Sequence, residues 1–147
     1  MRFLWLIVLI PVVLSCSKNQ ELNKIQGSWE LQTGKIIKRN DTVITDYTEG
    51  QRLIKIINET HFSFLRHDLN KGKDTNAIFI AGGGAYRYDG KNYNEYLEFC
   101  TGRSWEGKEF SFQISIVGDT LVQSGYEKNE ELGIDQKIIE TYIRTKN

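Results

Sequence analysis

From Gln26 onward apolar and polar residues alternate with a period of two, and turn formers break the alternation every 8 to 15 positions. A side-chain period of two belongs to strands that bury one face, and short strands at this spacing specify an all-β sandwich or barrel. Eight strands are predicted: Gly27–Lys38, Arg52–Asn58, His61–Arg66, Ala77–Tyr88, Tyr93–Cys100, Glu109–Val117, Thr120–Tyr126 and Lys137–Thr145. Asn58-Glu59-Thr60, Asp89-Gly90 and Val117-Gly118-Asp119-Thr120 supply tight reversals between them. Glu127–Gln136 has room for one helical turn, and Gly133 argues against more. Hairpin connections imply an up-and-down meander. Closing eight such strands removes both free edges and leaves space for one small ligand. The expected fold is therefore an eight-stranded antiparallel up-and-down barrel, over residues 25–147. Aromatic residues number 17 in 147, mostly Tyr and Phe, which also favours sheet.

The first 24 residues do not belong to that pattern. Met1 to Ser15 runs from one basic residue, Arg2, through an apolar stretch from Phe3 to Leu14. A spanning helix needs about 20 apolar residues, and this stretch is shorter, with Pro11 inside it. Val13-Leu14-Ser15-Cys16 resembles the lipobox of bacterial lipoprotein signal peptides. The resemblance implies removal of residues 1–15, a diacylglyceryl thioether on Cys16, and anchoring in a membrane leaflet. Two acyl chains hold stably where one is marginal. Ser17 after the cysteine implies, by the sorting rule that resemblance carries, an outer-membrane destination in the cell envelope. Residues 16–24 form a short polar tether. With residues 1–15 of 147 removed, 132 remain, with 18 of the 19 basic residues against 19 acidic ones. That is one domain with a real core, and its neutral balance excludes a nucleic-acid footprint. Cys100 is then the one thiol left, a small hydrophobe by default, and no internal disulfide is available.

Leu22-Asn-Lys-Ile-Gln-Gly27-Ser-Trp29-Glu-Leu31 resembles the Gly-x-Trp start of lipocalins, and Ala81–Glu98 resembles a group of uncharacterised lipocalin-like bacterial lipoproteins. The likeness covers roughly residues 23–146. It implies that Trp29 plugs the closed end of the barrel and that Arg144, from the last strand, lies across its ring. No Thr-Asp-Tyr loop stands between strands six and seven, and no long helix follows the barrel. A smaller calycin-type variant is expected, and the resemblance supplies no catalytic residues.

Residue by residue, the chemistry is sparse. Gly82-Gly83-Gly84 precedes a strand-like alternation instead of the helix a phosphate loop needs, so it reads as a bulge or sharp bend. His61 and His67 share a strand face about 20 Å apart, which excludes a shared metal. No Ser or Cys has an evident His partner, and no cofactor motif is present. Glu95, Glu98, Glu106 and Glu109 read as outward charges of hairpins. Titratable residues are not expected to converge in a cleft, so enzyme activity is not expected.

Strand parity marks the interior instead. Arg66 shares a face with Phe62 and Phe64, and Glu140 and Tyr142 share the face of Arg144. An inward Arg66 either pairs with Glu140 or Glu98, lies in water at the rim, or receives a ligand carboxylate. Tyr86, Tyr88, Tyr93 and Tyr96 are candidates for the rim of the opening. Phe62, Phe64, Phe110 and Phe112 are candidate walls for a small apolar or carboxylate-bearing molecule, with Arg66, Glu140 and Tyr142 as its polar anchors. A second reading leaves the barrel filled, with loops Arg39–Gly50 and His67–Asn76 docking on another envelope protein. A cavity of a few hundred Å³ separates the two.

Overall fold

The structure is a computed structural model that describes residues 22–39, 41–73, 75 and 77–146. The expected leader, Cys16 and most of the expected tether lie outside the described residues. The strands are β1 (Gly27–Lys38), β2 (Asp41–Asp46), β3 (Gln51–Ile57), β4 (His61–Asp68), β5 (Phe79–Tyr88), β6 (Asn92–Leu97), β7 (Phe99–Cys100), β8 (Lys108–Val117), β9 (Thr120–Asn129) and β10 (Ile134–Arg144). A 3-10 turn, Arg103–Trp105, stands between β7 and β8.

Two pairs of these segments are broken halves of single strands. β3 pairs with the first residues of β1, Gly27–Glu30, and β2 pairs with the same strand from Thr33 to Lys38. β6 and β7 likewise both pair with β5, and they part at Glu98. Counted so, eight antiparallel strands follow one another around the sheet, and β10 returns to β1 to close the barrel.

Half of the segment Arg39–Gly50, expected as a loop, is the strand β2. Five of its six residues are exposed, so no buried face writes a period-two pattern there and polarity alone misleads. Nor does Glu127–Gln136 hold a helix: β9 continues to Asn129 and β10 begins at Ile134. The glycine triplet stays in unbroken register with Phe62–Phe64 of β4, and the irregularity lies in the facing strand at the β6–β7 junction. Glycine is needed there because a Cβ on Gly84 would strike the Tyr96 carbonyl oxygen. A Cβ on Gly82 would lie 2.8 Å from the Phe99 carbonyl oxygen.

One end of the barrel is plugged. Trp29 and Ile25 are completely buried, and the indole N–H donates to the Ile25 carbonyl at 2.8 Å. The Arg144 guanidinium lies 4.0 Å from the indole centroid and donates to the carbonyls of Gln26 at 2.7 Å and Lys24 at 2.6 Å. Gly27 takes φ +132°, and a Cβ there would stand 2.5 Å from an Arg144 nitrogen. The spacing of glycine and tryptophan thus has a steric cause, since the guanidinium occupies the place of a side chain at residue 27. Tyr86 and Tyr88 each pack on the buried Tyr93, and the Tyr86 hydroxyl donates to the Asn58 carbonyl at 2.7 Å. They do not form the rim of the opening. Tyr96 faces outward beneath Arg87, 5.5 Å from its ring centroid.

Candidate functional site

Between the plug and the opposite end, three polar side chains cross the interior. Lys55 of β3, Glu95 of β6 and Gln123 of β9 are all buried. The Lys55 ammonium donates to Glu95 Oε1 and, at 2.7 Å, to Gln123 Oε1. It also lies 5.4, 5.1 and 5.9 Å from the ring centroids of Phe62, Tyr93 and Tyr142. A buried ammonium is tolerated only when paired and hydrogen-bonded, and here a carboxylate, an amide and three aromatic rings surround it.

Above this belt lies a cavity of about 580 Å³. Leu53, Phe64, Leu97, Phe110, Phe112 and Ile138 wall it, and Trp105 of the 3-10 turn closes one side against Phe110 at 5.8 Å between centroids. Lys55, Glu95 and Gln123 form its base. Toward the mouth stand Lys35, Thr45, Tyr47, Arg66, Phe79, Ile80 and Cys100. Arg66 donates from Nε to Gln51 Oε1 at 2.9 Å, and its guanidinium is 5.0 Å from the Tyr47 ring centroid.

Two further carboxylates line the cavity on adjacent strands, Glu127 of β9 and Glu140 of β10. Glu127 accepts a 2.8 Å hydrogen bond from the Gln136 amide, and Glu140 Oε2 accepts one of 2.7 Å from the Tyr142 hydroxyl. Burial pushes the Glu140 carboxyl up to about 7, against the opposing pull of Lys55 and the Tyr142 hydrogen bond, and Glu127 and Glu95 push it further the same way. Burial also raises Glu127, offset in part by the Gln136 hydrogen bond. The Tyr142 and Tyr93 hydroxyls are raised well above the ordinary tyrosine range by burial and the neighbouring carboxylates. Tyr47 is raised by burial too, with Arg66 acting against Glu140 and Glu127.

Of the residues singled out from the sequence, Phe64, Arg66, Phe110, Phe112, Glu140 and Tyr142 face this one cavity. Phe62 is buried below it, against Tyr93 with ring centroids 6.5 Å apart. Arg66 forms no ion pair with Glu140 or Glu98: among the described residues its polar partner is Gln51. Glu98 lies outside, accepting from the Ala85 amide at 2.9 Å, and Glu106 bonds Arg103 at 2.9 Å and the Cys100 amide at 3.0 Å. Glu95 is not an outward hairpin charge, because its parity with Tyr93 and Leu97 carries it into the core.

Lys55, Gln123 and Glu127 went unmarked in the sequence, and the expectation that titratable groups do not converge is overturned by this cluster. The signal was available in part: Lys55 has the parity of Leu53 and Ile57, and Gln123 that of Leu121. Ile54 and Ile56 blurred the first case by making both faces of β3 apolar. Among the described residues no group of three or more His, Cys, Asp or Glu side chains is arranged to hold a metal. His61 and His67 are exposed, as their strand positions imply. No helix among the described residues is long and apolar enough to cross a membrane. Comparison with protein-family models and with curated proteins gives no match for this chain.

Proposed function

We propose that the chain is a lipid-anchored envelope protein, held through Cys16, whose lipocalin-like barrel binds one small, partly apolar molecule without transforming it. The cavity carries this reading: about 580 Å³ falls within the range of small-molecule sites, where apolar walls combine with a few convergent polar groups. It weighs against the filled-barrel interaction module, which needs side chains meeting across the centre. The Trp29–Arg144 stack under Gly27 supports kinship with lipocalin-like lipoproteins, Val13-Leu14-Ser15-Cys16 supports the anchor, and Ser17 after it supports the outer-membrane destination.

Native mass spectrometry of the protein extracted from its own host's envelope tests the reading. A co-purifying small molecule that diminishes on Phe110→Ala or Arg66→Ala, together with a diacylglyceryl mass lost on Cys16→Ser, is the expected result. A clean unliganded mass, unchanged after incubation with envelope extract, refutes the binding half. An unmodified Cys16 refutes the anchor.

A further inference from the structure

The cavity's charges are not evenly placed. Lys35 and Arg66 stand toward the mouth, and Arg66 is committed to Gln51 and the Tyr47 ring. The third cation, Lys55, gives its hydrogen bonds to Glu95 and Gln123 at the base. Glu127 and Glu140 are left on the β9–β10 wall with neutral partners, an amide and a phenol. Neither has a cation within ion-pair distance among the described residues. Lys55 acts on both of them, and only across a distance. Glu140 accepts through Oε2 alone among the described residues, and its half-buried side chain opens onto the cavity, although an ionised carboxylate offers about four acceptor sites.

A carboxylate in such a place is costly unless something positive or proton-donating meets it. Among the described residues no lysine or arginine of β9 or β10 lines the cavity, and the space in front of that wall is large enough for a molecule. Aromatic rings enclose the rest of that space, with Phe110 and Phe112 stacked at 6.3 Å between centroids and Trp105 beside them. Such walls favour an apolar body and are compatible with an adjacent cation.

Resting on the ligand-binding reading above, we infer that the ligand is an amphiphilic cation: an amine or guanidine whose charged group lies against Glu127 and Glu140 and whose apolar body fills the aromatic part of the cavity. This is opposite in sign to a ligand chosen by Arg66, which would bring a carboxylate to the mouth.

Three probes of closely similar size separate these possibilities: 4-phenylbutylamine, 4-phenylbutanol and 4-phenylbutyrate. Each is titrated into the purified full chain at pH 8, followed by calorimetry and by the emission of Trp105. The amine is expected to bind at least about 10-fold more tightly than the alcohol or the carboxylate, a difference of about 1.4 kcal/mol. In the Glu127→Gln/Glu140→Gln double variant that preference should shrink below about 3-fold while alcohol binding persists. Persistence of alcohol binding also shows that the variant is folded; should it fail to fold, the single Glu127→Gln and Glu140→Gln variants carry the same comparison. Equal binding of all three probes, or tighter binding of the carboxylate, overturns the cationic assignment and leaves the binding reading standing. Failure of all three to bind at millimolar concentration overturns both.

Discussion

Replacing Lys55 by methionine keeps the length and apolar stem of the side chain and removes its charge. Glu95, 7 % exposed, then lies in the barrel with no counter-ion, and Gln123 Oε1 loses its donor. Breaking one side of a buried ion pair costs about 3–5 kcal/mol, and the orphaned amide oxygen accounts for about 1 kcal/mol of such a loss. Because methionine is close in volume, a cavity contributes little. Urea unfolding followed by the emission of Trp29 and Trp105 measures the effect. With a slope of roughly 1.5 kcal/mol per molar urea for a domain of this size, the midpoint should fall by about 2–3 M. The double variant Lys55→Met/Glu95→Gln removes the stranded charge and should recover about 2–3 kcal/mol relative to Lys55→Met alone. The two-residue coupling distinguishes an electrostatic belt from simple packing. If Lys55→Met lies within 1 kcal/mol of the parent, or if the second substitution adds its cost instead of relieving it, the belt is not an ion pair in a dry interior and the reasoning fails.

Glu140, which faces Lys55 of β3, Glu95 of β6, Glu127 of β9 and Tyr142 of its own strand, makes stability depend on pH. Its carboxyl is raised from 4.5 to about 7 in the fold, so the folded state holds the proton longer than the unfolded chain does. Stability should therefore fall as pH rises from about 4.5 to 7 and level off above, by at most about 3 kcal/mol from this group. Glu140→Gln should flatten that slope in thermal unfolding scans taken at pH 5, 6, 7 and 8, and an unchanged slope contradicts the assignment. Arg144→Met removes the stack on Trp29 and two hydrogen bonds to carbonyls, a loss of about 2–4 kcal/mol, with a red shift of Trp29 emission. Arg144→Lys should recover less than half of it, since an ammonium cannot reproduce the fork. Gly84→Ala drives a methyl into the Tyr96 carbonyl and should cost about 1–3 kcal/mol by thermal unfolding; a neutral result would show that the β6–β7 break yields easily.

Much of the barrel could be read along the chain because most strands bury one face. β1 shows why: Trp29 and Leu31 alternate with half-exposed neighbours. Where both faces meet solvent, as in β2, the pattern vanishes and only partner geometry reveals the strand. The site divides in the same way. Parity joined Phe64, Arg66, Glu140 and Tyr142, since each lies beside unambiguous core residues. Lys55 and Glu95 were hidden for a different reason. Their pairing depends on β3 and β6 facing each other across a closed barrel, 40 positions apart in sequence, and strand alternation carries no information about what lies opposite. Charge is also a weak guide to direction, for the default of turning glutamates outward fails wherever a cation is buried nearby.

Chain entry at the plugged end would set the direction in which a barrel anchored through Cys16 looks. Lys24 and Gln26 are bound by Arg144 at the plug, and Leu22 stands only six positions after Cys16, a reach of about 20 Å when fully extended. A lipid on Cys16 would hold the plug near the bilayer. The 11 residues of β10, at about 3.3 Å each and tilted as barrel strands are, would carry the mouth about 28 Å farther out. Arg66, Phe79 and Ile80 would then face the aqueous compartment or an apposed membrane, and cargo would arrive from that side instead of sliding in from the leaflet that holds the anchor.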